Sequence, residues 1–329
     1  MIHSYMSISA HDAEDLAVSL LGERDWRCRP FGAGKFSKTF KVTDQDRSTY
    51  ILRVAPPDSV LQLFYEYRMM RQEPAIHHRL LEETSVPVPE ILASDFSRTL
   101  LDRDFLIMPC LAGVPLSAAR LNQRAYNKAL SQWGSYVAEI HSLTDPENRF
   151  GYLGEHDCMT PRPSWRLAFI EMFRKELDDL LRCGVYTQPM VDAATELIEK
   201  HASCFDTCNT SRLCHGDLWV TNLLVDTRGE VTGVIDFDRA CWGDKEWDLA
   251  IGEYCGITKS AFWEGYGRRV DNTSGEAAIR RLFYLLYEHQ KYIVISISSR
   301  RNDPAGAQRY ASECLAIMEN FKRTGRPVF

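Results

Sequence analysis

The sequence of 329 residues lacks the features that mark a membrane protein or a nucleic-acid-binding protein. No apolar run reaches the roughly 18 to 20 residues that a membrane-spanning helix needs, and the longest candidate, 292–298, is far shorter. No run rich in lysine and arginine stands out, which argues against nucleic acid as a main partner. The first 21 residues also lack the basic-then-apolar order of a signal peptide. We therefore expect a cytoplasmic protein that binds neither a membrane nor nucleic acid.

Repeats, low-complexity segments and a recognisable metal-binding cysteine pattern are also missing. The ten cysteines are scattered along the chain. Cys204, Cys208 and Cys214 come nearest to a cluster, but spacings of four and six residues do not match paired metal ligands. The cysteines are therefore interpreted as reduced, mostly buried thiols. A hydrophobic fraction of 45% and a net charge of −6 are ordinary for a soluble protein, and the mild acidic excess is also compatible with a cationic small substrate.

Strand-like segments dominate the first 110 residues, and helical patterns dominate the rest. The stretch 61–81 is helix-like but interrupted by Pro74. Short β-rich segments predict a small antiparallel sheet: 40–42, 50–54, 91–93 and 105–108.

Beyond Pro109, apolar residues recur every three to four positions in 126–140, 190–198 and 282–293, which predicts buried helix faces. Two β-type segments interrupt these helices and predict a hairpin: 222–225 and 231–237. The fold class is therefore α+β with two lobes. We expect an amino-terminal lobe over 1–108, a hinge over 109–114 and a carboxy-terminal lobe over 115–329.

The most informative stretch is Leu-Cys-His-Gly-Asp-Leu-Trp-Val-Thr-Asn at 213–222, followed by Gly-Val-Ile-Asp-Phe-Asp at 233–238. Asp217 lies in a loop, Asn222 follows five residues later, and Asp236 ends the hairpin. Phosphoryl transfer needs a carboxylate that accepts or orients the proton of the attacking hydroxyl. It also needs an amide and a second carboxylate that hold Mg²⁺ against the phosphates. The hairpin folds back, so we expect its two ends to lie side by side.

This pattern resembles the aminoglycoside phosphotransferase and choline kinase-like superfamily, over about residues 31 to 287. The resemblance implies a protein-kinase-like fold, with Asp217 as the catalytic base or orienting group and Asn222 and Asp236 as Mg²⁺ ligands. His215 is implied to shape the loop, and Asp238 to be a further metal or substrate contact.

Asp248 matches a position that braces the catalytic loop in this superfamily. The alternative is an ordinary residue at the start of a helix.

In this resemblance, the amino-terminal lobe binds the nucleotide, with ATP as the default and GTP as the alternative. Gly32, Gly34 and Ser37 would form the phosphate-binding loop. Arg53, on a strand, would contact phosphate in place of the lysine of protein kinases. Met108 begins the stretch that resembles the hinge at which adenine binds.

The glutamate that pairs with Arg53 is left open by the sequence. Glu73 lies at about the right distance along the chain, but Pro74 follows it and disfavours helical geometry there. If Pro74 begins the helix instead, this objection disappears. We therefore expect Glu73, and the alternatives are Glu66 or a merely solvated charge.

The acceptor is less defined than the chemistry. Trp242, Glu246, Tyr287 and Glu288 combine aromatic faces with carboxylates and are candidate contacts for an amine or a sugar, although a helical core with an acidic rim explains them equally well. We expect an aminoglycoside or a related amino-sugar antibiotic as acceptor, hence a role in antibiotic resistance. The loop His-Gly-Asp-Leu-Trp resembles the fructosamine kinase variant, so a metabolite kinase of the fructosamine, choline or homoserine type is the alternative.

Two other functions compete with that of a small-molecule kinase. A protein kinase is disfavoured because the Asp-Phe-Gly and Ala-Pro-Glu landmarks are absent and Trp219 stands where a lysine would follow the catalytic aspartate. A noncatalytic nucleotide-binding protein on the same fold is the alternative of another class, and the intact Asp217, Asn222 and Asp236 argue against it. We expect a monomer or a homodimer.

Overall fold

The computed structural model describes residues 8–32, 36–154, 158–270, 272–299 and 301–329. An antiparallel sheet occupies the amino-terminal part, and helices dominate the rest, so the predicted α+β class is confirmed. The sheet has the strand order β1-β2-β3-β5-β4. Its strands are β1 (Arg27–Pro30), β2 (Lys38–Thr43), β3 (Thr49–Val54), β4 (Ala93–Asp95) and β5 (Phe105–Pro109).

Side-chain alternation explains why β2 and β3 form the centre of this sheet. Phe40 and Val42 on β2, and Leu52 and Val54 on β3, are fully buried, as expected when every second residue faces a core. The helix α1 (Ala10–Leu21) covers this apolar face and begins with a capping box at its N-terminus. The register places Thr39 opposite Arg53. The stretch that follows the glycine-rich loop therefore lies beside the predicted phosphate-binding arginine.

The stretch 61–81 is not one interrupted helix, so that prediction is wrong in its first half. A short 3₁₀ helix, Met69–Gln72, leads directly into α2 (Glu73–Glu83). Pro74 lies in the first turn of α2, where a residue without an N–H loses no intrahelical hydrogen bond. The proline therefore starts the helix and leaves Glu73 in helical geometry. The strand predicted at 91–93 is also displaced, to β4.

Seven helices are described in the remainder of the chain, and they confirm the three predicted periodic segments. They are α3 (Gln123–Ile140), α4 (Trp165–Arg182), α5 (Gln188–Lys200), α6 (Lys245–Tyr254), α7 (Ser260–Tyr266), α8 (Gly275–Ile297) and α9 (Pro304–Thr324). The apolar side chains of α8 are largely buried in the main core, and each fully buried leucine or phenylalanine contributes about 1.5–3 kcal/mol. None of the described helices is both long enough and apolar enough to cross a membrane.

Five short strands carry the motif residues. They are β6 (Val114–Pro115), β7 (Arg212–Cys214), β8 (Leu223–Val225), β9 (Val231–Val234) and β10 (Cys241–Gly243). The predicted hairpin is β8–β9, but β9 ends before Asp236, which has a positive φ of 74°. Left-handed backbone cannot continue a strand, so the motif from Asp236 onwards forms a loop. Strand β6 pairs with β8, so the chain passes from the sheet to the helical part just after β5. The lobe boundaries at 108 and 114 stay a prediction.

Candidate active site

The loop 215–222 follows β7 and is fixed at its start by Asp248 of α6. One carboxylate oxygen of Asp248 accepts the backbone N–H of His215 at 2.6 Å, and the other accepts that of Gly216 at 2.8 Å. Gly216 has a φ of 79°, and a Cβ there would lie 2.3 Å from the carbonyl oxygen of Arg239. Only glycine fits such a position without strain. The structure thus places Asp248 as a brace beneath the loop.

His215 joins the two halves of the motif. Its Nε2 lies 3.1 Å from the carbonyl oxygen of Ile235. Because a carbonyl can only accept, Nε2 carries the proton and Nδ1 is left to accept the backbone N–H of Asp217 at 3.3 Å. Its ring also packs against Phe237, with 4.4 Å between the ring centroids. His215 therefore sets the distance between the loop and the Asp-Phe-Asp segment.

Asp217 is held at both of its carboxylate oxygens. Asn222 donates to Oδ2 at 2.9 Å, and two cations face Oδ1, Lys291 at 3.7 Å and Arg239 at 4.0 Å. Desolvation acts to raise the pKa of the Asp217 carboxyl, but Lys291, Arg239 and the Asn222 hydrogen bond lower it below its usual value. The side chain is 31% exposed. An ionised carboxylate is therefore presented to the surface of the cleft, in a form that can accept a proton.

Arg53 forms ion pairs with three carboxylates. Its Nη1 donates to both oxygens of Glu73, at 2.8 and 2.6 Å, and its Nη2 donates to Asp236 and Asp238, each at 3.0 Å. Glu66 instead accepts the backbone N–H of Leu63. Of the two glutamates left open by the sequence, Glu73 is the one that pairs with Arg53.

The pKa values around Arg53 are shifted in the opposite direction from that of Asp217. Burial, the largest cause, raises the pKa of Glu73 to about 7, against the opposing effect of Arg53. Burial and the neighbouring Asp236 also raise the pKa of Asp238 well above its usual value. Three carboxylates share the single guanidinium of Arg53, so the site has an excess of acidic groups.

This donor set fits a magnesium ion. Asp236, Asp238 and Asn222 supply carboxylate and amide oxygens, which are the hard ligands that Mg²⁺ prefers. A divalent cation would offset the acidic excess around Arg53. His141, Cys214 and Asp248 are also close enough together to hold a metal. However, Asp248 already receives two loop N–H groups, and burial raises the pKa of the Cys214 thiol well above its usual value, so this trio is a structural contact.

The predicted nucleotide-binding residues are only partly described. Gly34 lies outside the described residues. Gly32 is exposed with a φ of 74°, and Ser37, just before β2, is buried with no partner for its hydroxyl among the described residues. Met108 lies on β5, opposite Ile51 of β3. The cofactor role of these residues stays a prediction.

The four candidate acceptor contacts each have a different partner in the structure. Trp242 is buried on β10 beneath the guanidinium of Arg79, and Glu246 pairs with Arg280. Tyr287 is fully buried, and its hydroxyl lies 3.3 Å from that of Tyr152. Within the described part of the chain, only Glu288 of the four is ion-paired with the groups around Asp217.

Sequence reasoning missed two functional candidates, Arg239 and Lys291. Arg239 directly follows Asp238 in the motif, so its position in the chain was a usable signal. Lys291 lies one turn after Glu288 on α8. The signal there is a run of polar residues, 288–291, inside a helix whose other buried residues are mostly apolar.

Comparisons with known proteins agree with this geometry. Residues 27–280 match the family described as "Phosphotransferase enzyme family". A relative from Vibrio cholerae, named "Probable ketoamine kinase", is 30% identical over 201 residues. That stretch is 56% of this chain and 60% of the relative, so the match spans less than two thirds of the relative's length.

Two solved structures share the fold. One is of a candidate fructosamine-3-kinase from Thermobifida fusca, with a TM-score of 0.62 and 20% identity over 96% of this chain and 100% of that one. The other is a thermostable mutant of an aminoglycoside phosphotransferase in a ternary complex with AMP-PNP and hygromycin B. It has a TM-score of 0.62 and 19% identity, over 92% of this chain and 97% of that one. These two structures confirm the predicted protein-kinase-like fold, and the family match over residues 27–280 confirms the superfamily.

Proposed function

Since the chain belongs to the phosphotransferase enzyme family, we propose that it transfers the γ-phosphoryl group of ATP to a hydroxyl of a ketoamine, a sugar whose carbonyl carbon neighbours an amine-bearing carbon. The observation that carries this proposal is the Asp217 carboxylate. It is ionised, partly exposed and held by Asn222, and it is close enough to Asp238 to contribute to the raised pKa of that carboxyl.

In the proposed mechanism, the acceptor hydroxyl donates its hydrogen to Asp217, which orients the oxygen toward the γ-phosphorus and takes the proton as the bond forms. The bond between the γ-phosphorus and the β–γ bridging oxygen breaks, and ADP leaves. Arg53 and the loop around Gly32 and Ser37 position the triphosphate. Asn222, Asp236 and Asp238 would hold Mg²⁺, which neutralises charge on the phosphates when bound.

The comparisons support a ketoamine acceptor, which was the alternative in the sequence analysis, better than an aminoglycoside, which was the main expectation. The relative that is 30% identical is named a ketoamine kinase, whereas the aminoglycoside phosphotransferase structure shares the fold at 19% identity. A resistance role therefore has less support than a role in sugar-amine metabolism. The proposed acceptor agrees with the Leu218-Trp219 variant of the loop.

The test is acceptor-dependent release of ADP by purified protein with Mg²⁺ and either ATP or GTP. Fructosyl-lysine is the ketoamine, and kanamycin, choline, homoserine and fructose are the comparison acceptors. We expect turnover with fructosyl-lysine and little with fructose, which lacks the amine. Turnover with kanamycin alone would instead identify an aminoglycoside antibiotic as the acceptor. Nucleotide binding without turnover on any acceptor would favour the noncatalytic alternative.

Asp217→Asn is the diagnostic variant. Removing the proton acceptor should lower kcat by about 10²- to 10⁴-fold, while nucleotide affinity measured by calorimetry stays within about twofold. Asp192→Asn, at an exposed position on α5, is the matched control and should keep full turnover. Full activity of Asp217→Asn would overturn the assigned role.

A further inference from the structure

A run of buried polar residues lies on α8, and two of them, Glu288 and Lys291, contact the groups around the proposed reaction centre. Glu288, His289, Gln290 and Lys291 are all at most 8% exposed, between apolar residues on either side along the helix. Buried lysines are rare unless they are paired. Lys291 has two acidic neighbours, Glu288 on its own helix and Asp217 on the loop.

Glu288 anchors two cations at once. One of its carboxylate oxygens pairs with Lys291, and the other accepts from Arg239 at 3.0 Å. Arg239 in turn donates to the carbonyl oxygen of Gly216 at 2.9 Å. Glu288 therefore holds both cations in place beside Asp217, and neither cation belongs to the loop itself.

We propose that Lys291 is a positioning residue for the reaction, which holds the catalytic carboxylate of Asp217 in one orientation from a helix distant in sequence; this inference rests on the proposed function. Between His215 and Asn222 the loop carries no lysine or arginine. The amide of Asn222 fixes one oxygen of Asp217. Among the described residues, two cations from outside the loop form ion pairs with the other oxygen, and Lys291 is the nearer of the two, at 3.7 Å.

The negative charge of Glu288 does not require Lys291 as its partner, because Arg239 already donates a hydrogen bond to Glu288. The contact with Asp217 is what Lys291 adds. Correct alignment of a catalytic group with its substrate is worth large rate factors, and a displacement of about 1 Å can cost about 100-fold. Loss of Lys291 should therefore lower kcat more than it raises KM.

The test is a double-mutant cycle between Lys291 and Asp217, assayed with the acceptor that supports wild-type turnover. Lys291→Met should lower kcat by about 10- to 100-fold and leave KM for ATP within about twofold. Lys291→Arg, which keeps the charge with a different shape, should restore most of this loss. In the Asp217→Asn background, Lys291→Met should change kcat by less than about twofold, because a residue that acts through Asp217 has nothing left to position.

An equal loss from Lys291→Met in both backgrounds would overturn the proposal, since it would show a role independent of Asp217. Unchanged kcat in Lys291→Met would overturn it as well. Lys200→Met, at the exposed end of α5, is the control for lysine loss, and thermal unfolding checks that each variant folds.

Crystal structures separate failure of this inference from failure of the proposed function. Wild type and Lys291→Arg should show one orientation of the Asp217 carboxylate, and Lys291→Met should show rotation or two orientations. A single unchanged orientation in Lys291→Met would overturn the positioning role, whatever the acceptor assay shows. An inactive wild type would count against the proposed function alone.

Discussion

The motif contributes carboxylates to two charged clusters, and these clusters differ in their balance of charge. Around Arg53, one guanidinium meets three carboxylates: Glu73, Asp236 and Asp238. Around Asp217, two cations meet two carboxylates: Arg239 and Lys291, with Asp217 and Glu288. The first set is the acid-rich cluster, and the second is the balanced cluster.

The pKa values follow this difference. In the acid-rich cluster, burial raises the pKa of Glu73 to about 7 and that of Asp238 well above its usual value. In the balanced cluster, the surrounding cations overcome burial and lower the pKa of Asp217. An acid-rich cluster needs a further cation, as a site for a magnesium–nucleotide complex does, whereas a balanced cluster is ready to accept a proton without one.

Removing a carboxylate from the acid-rich cluster should have the largest effect. Asp236→Asn should lower the rate of transfer by about 100-fold or more at moderate Mg²⁺, because stabilisation by a metal ion contributes several kcal/mol. It should also raise the Mg²⁺ concentration required for half-maximal rate. Steady-state rates across a Mg²⁺ titration give both quantities.

Asp46→Asn, in an exposed turn of the amino-terminal sheet, is the control for loss of a carboxylate and should behave as wild type. An unchanged Mg²⁺ titration for Asp236→Asn would mean that the acid-rich cluster does not hold the ion.

Removing the one cation of the acid-rich cluster should have the next largest effect. Arg53→Met leaves the buried carboxylates of Glu73 and Asp238, and the half-exposed Asp236, without their cation. Loss of one partner of a buried ion pair costs about 3–5 kcal/mol in comparable sites, and the change should raise KM for ATP about tenfold. Arg53→Lys should recover part of both losses, since it restores the charge without the two-pronged geometry. Urea unfolding and steady-state kinetics with varied ATP measure the two effects.

The surface pair Arg166–Asp206 provides the contrast, because both side chains are at least 41% exposed. Arg166→Met should cost less than about 1 kcal/mol. If Arg53→Met proved equally mild, the acid-rich cluster would not depend on Arg53 for its charge balance.

How much the sequence revealed also differs between the two clusters. Asp217, Asn222 and Asp236 could be predicted because their spacing within one short motif carries the chemistry. Glu73 could be favoured over Glu66 but not established, because the geometry after Gln72 depends on whether Pro74 starts or breaks a helix. The structure decides this by placing the proline in the first turn of α2.

The contacts of the balanced cluster could not be predicted, because they join residues that are far apart in sequence. Lys291 lies 74 residues beyond Asp217, and helical periodicity gives the buried face of α8 without saying which loop that face meets. For the same reason, aromatic and acidic composition suggested Trp242 and Glu246 as acceptor contacts, although the structure pairs them with Arg79 and Arg280.

The smallest expected effect concerns pH and lies at the edge of the acid-rich cluster. His77 of α2 donates from Nδ1 to the carbonyl oxygen of Pro89 at 2.7 Å, and its buried Nε2 lies 3.8 Å from Glu73. Burial lowers the pKa of His77 to about 4, with nearby Arg53 acting in the same direction. The unfolded chain takes up this proton near pH 6.5, so the stability contributed above that pH is lost as pH falls toward about 4. Between pH 7.5 and pH 5 the loss is about 2 kcal/mol.

Urea unfolding at these two pH values tests the assignment. His77→Gln should remove this pH-dependent part of the free energy of unfolding, whereas His78→Gln, at the exposed neighbouring position, should not. Equal pH dependence in both variants would show that His77 does not stay neutral in the folded protein.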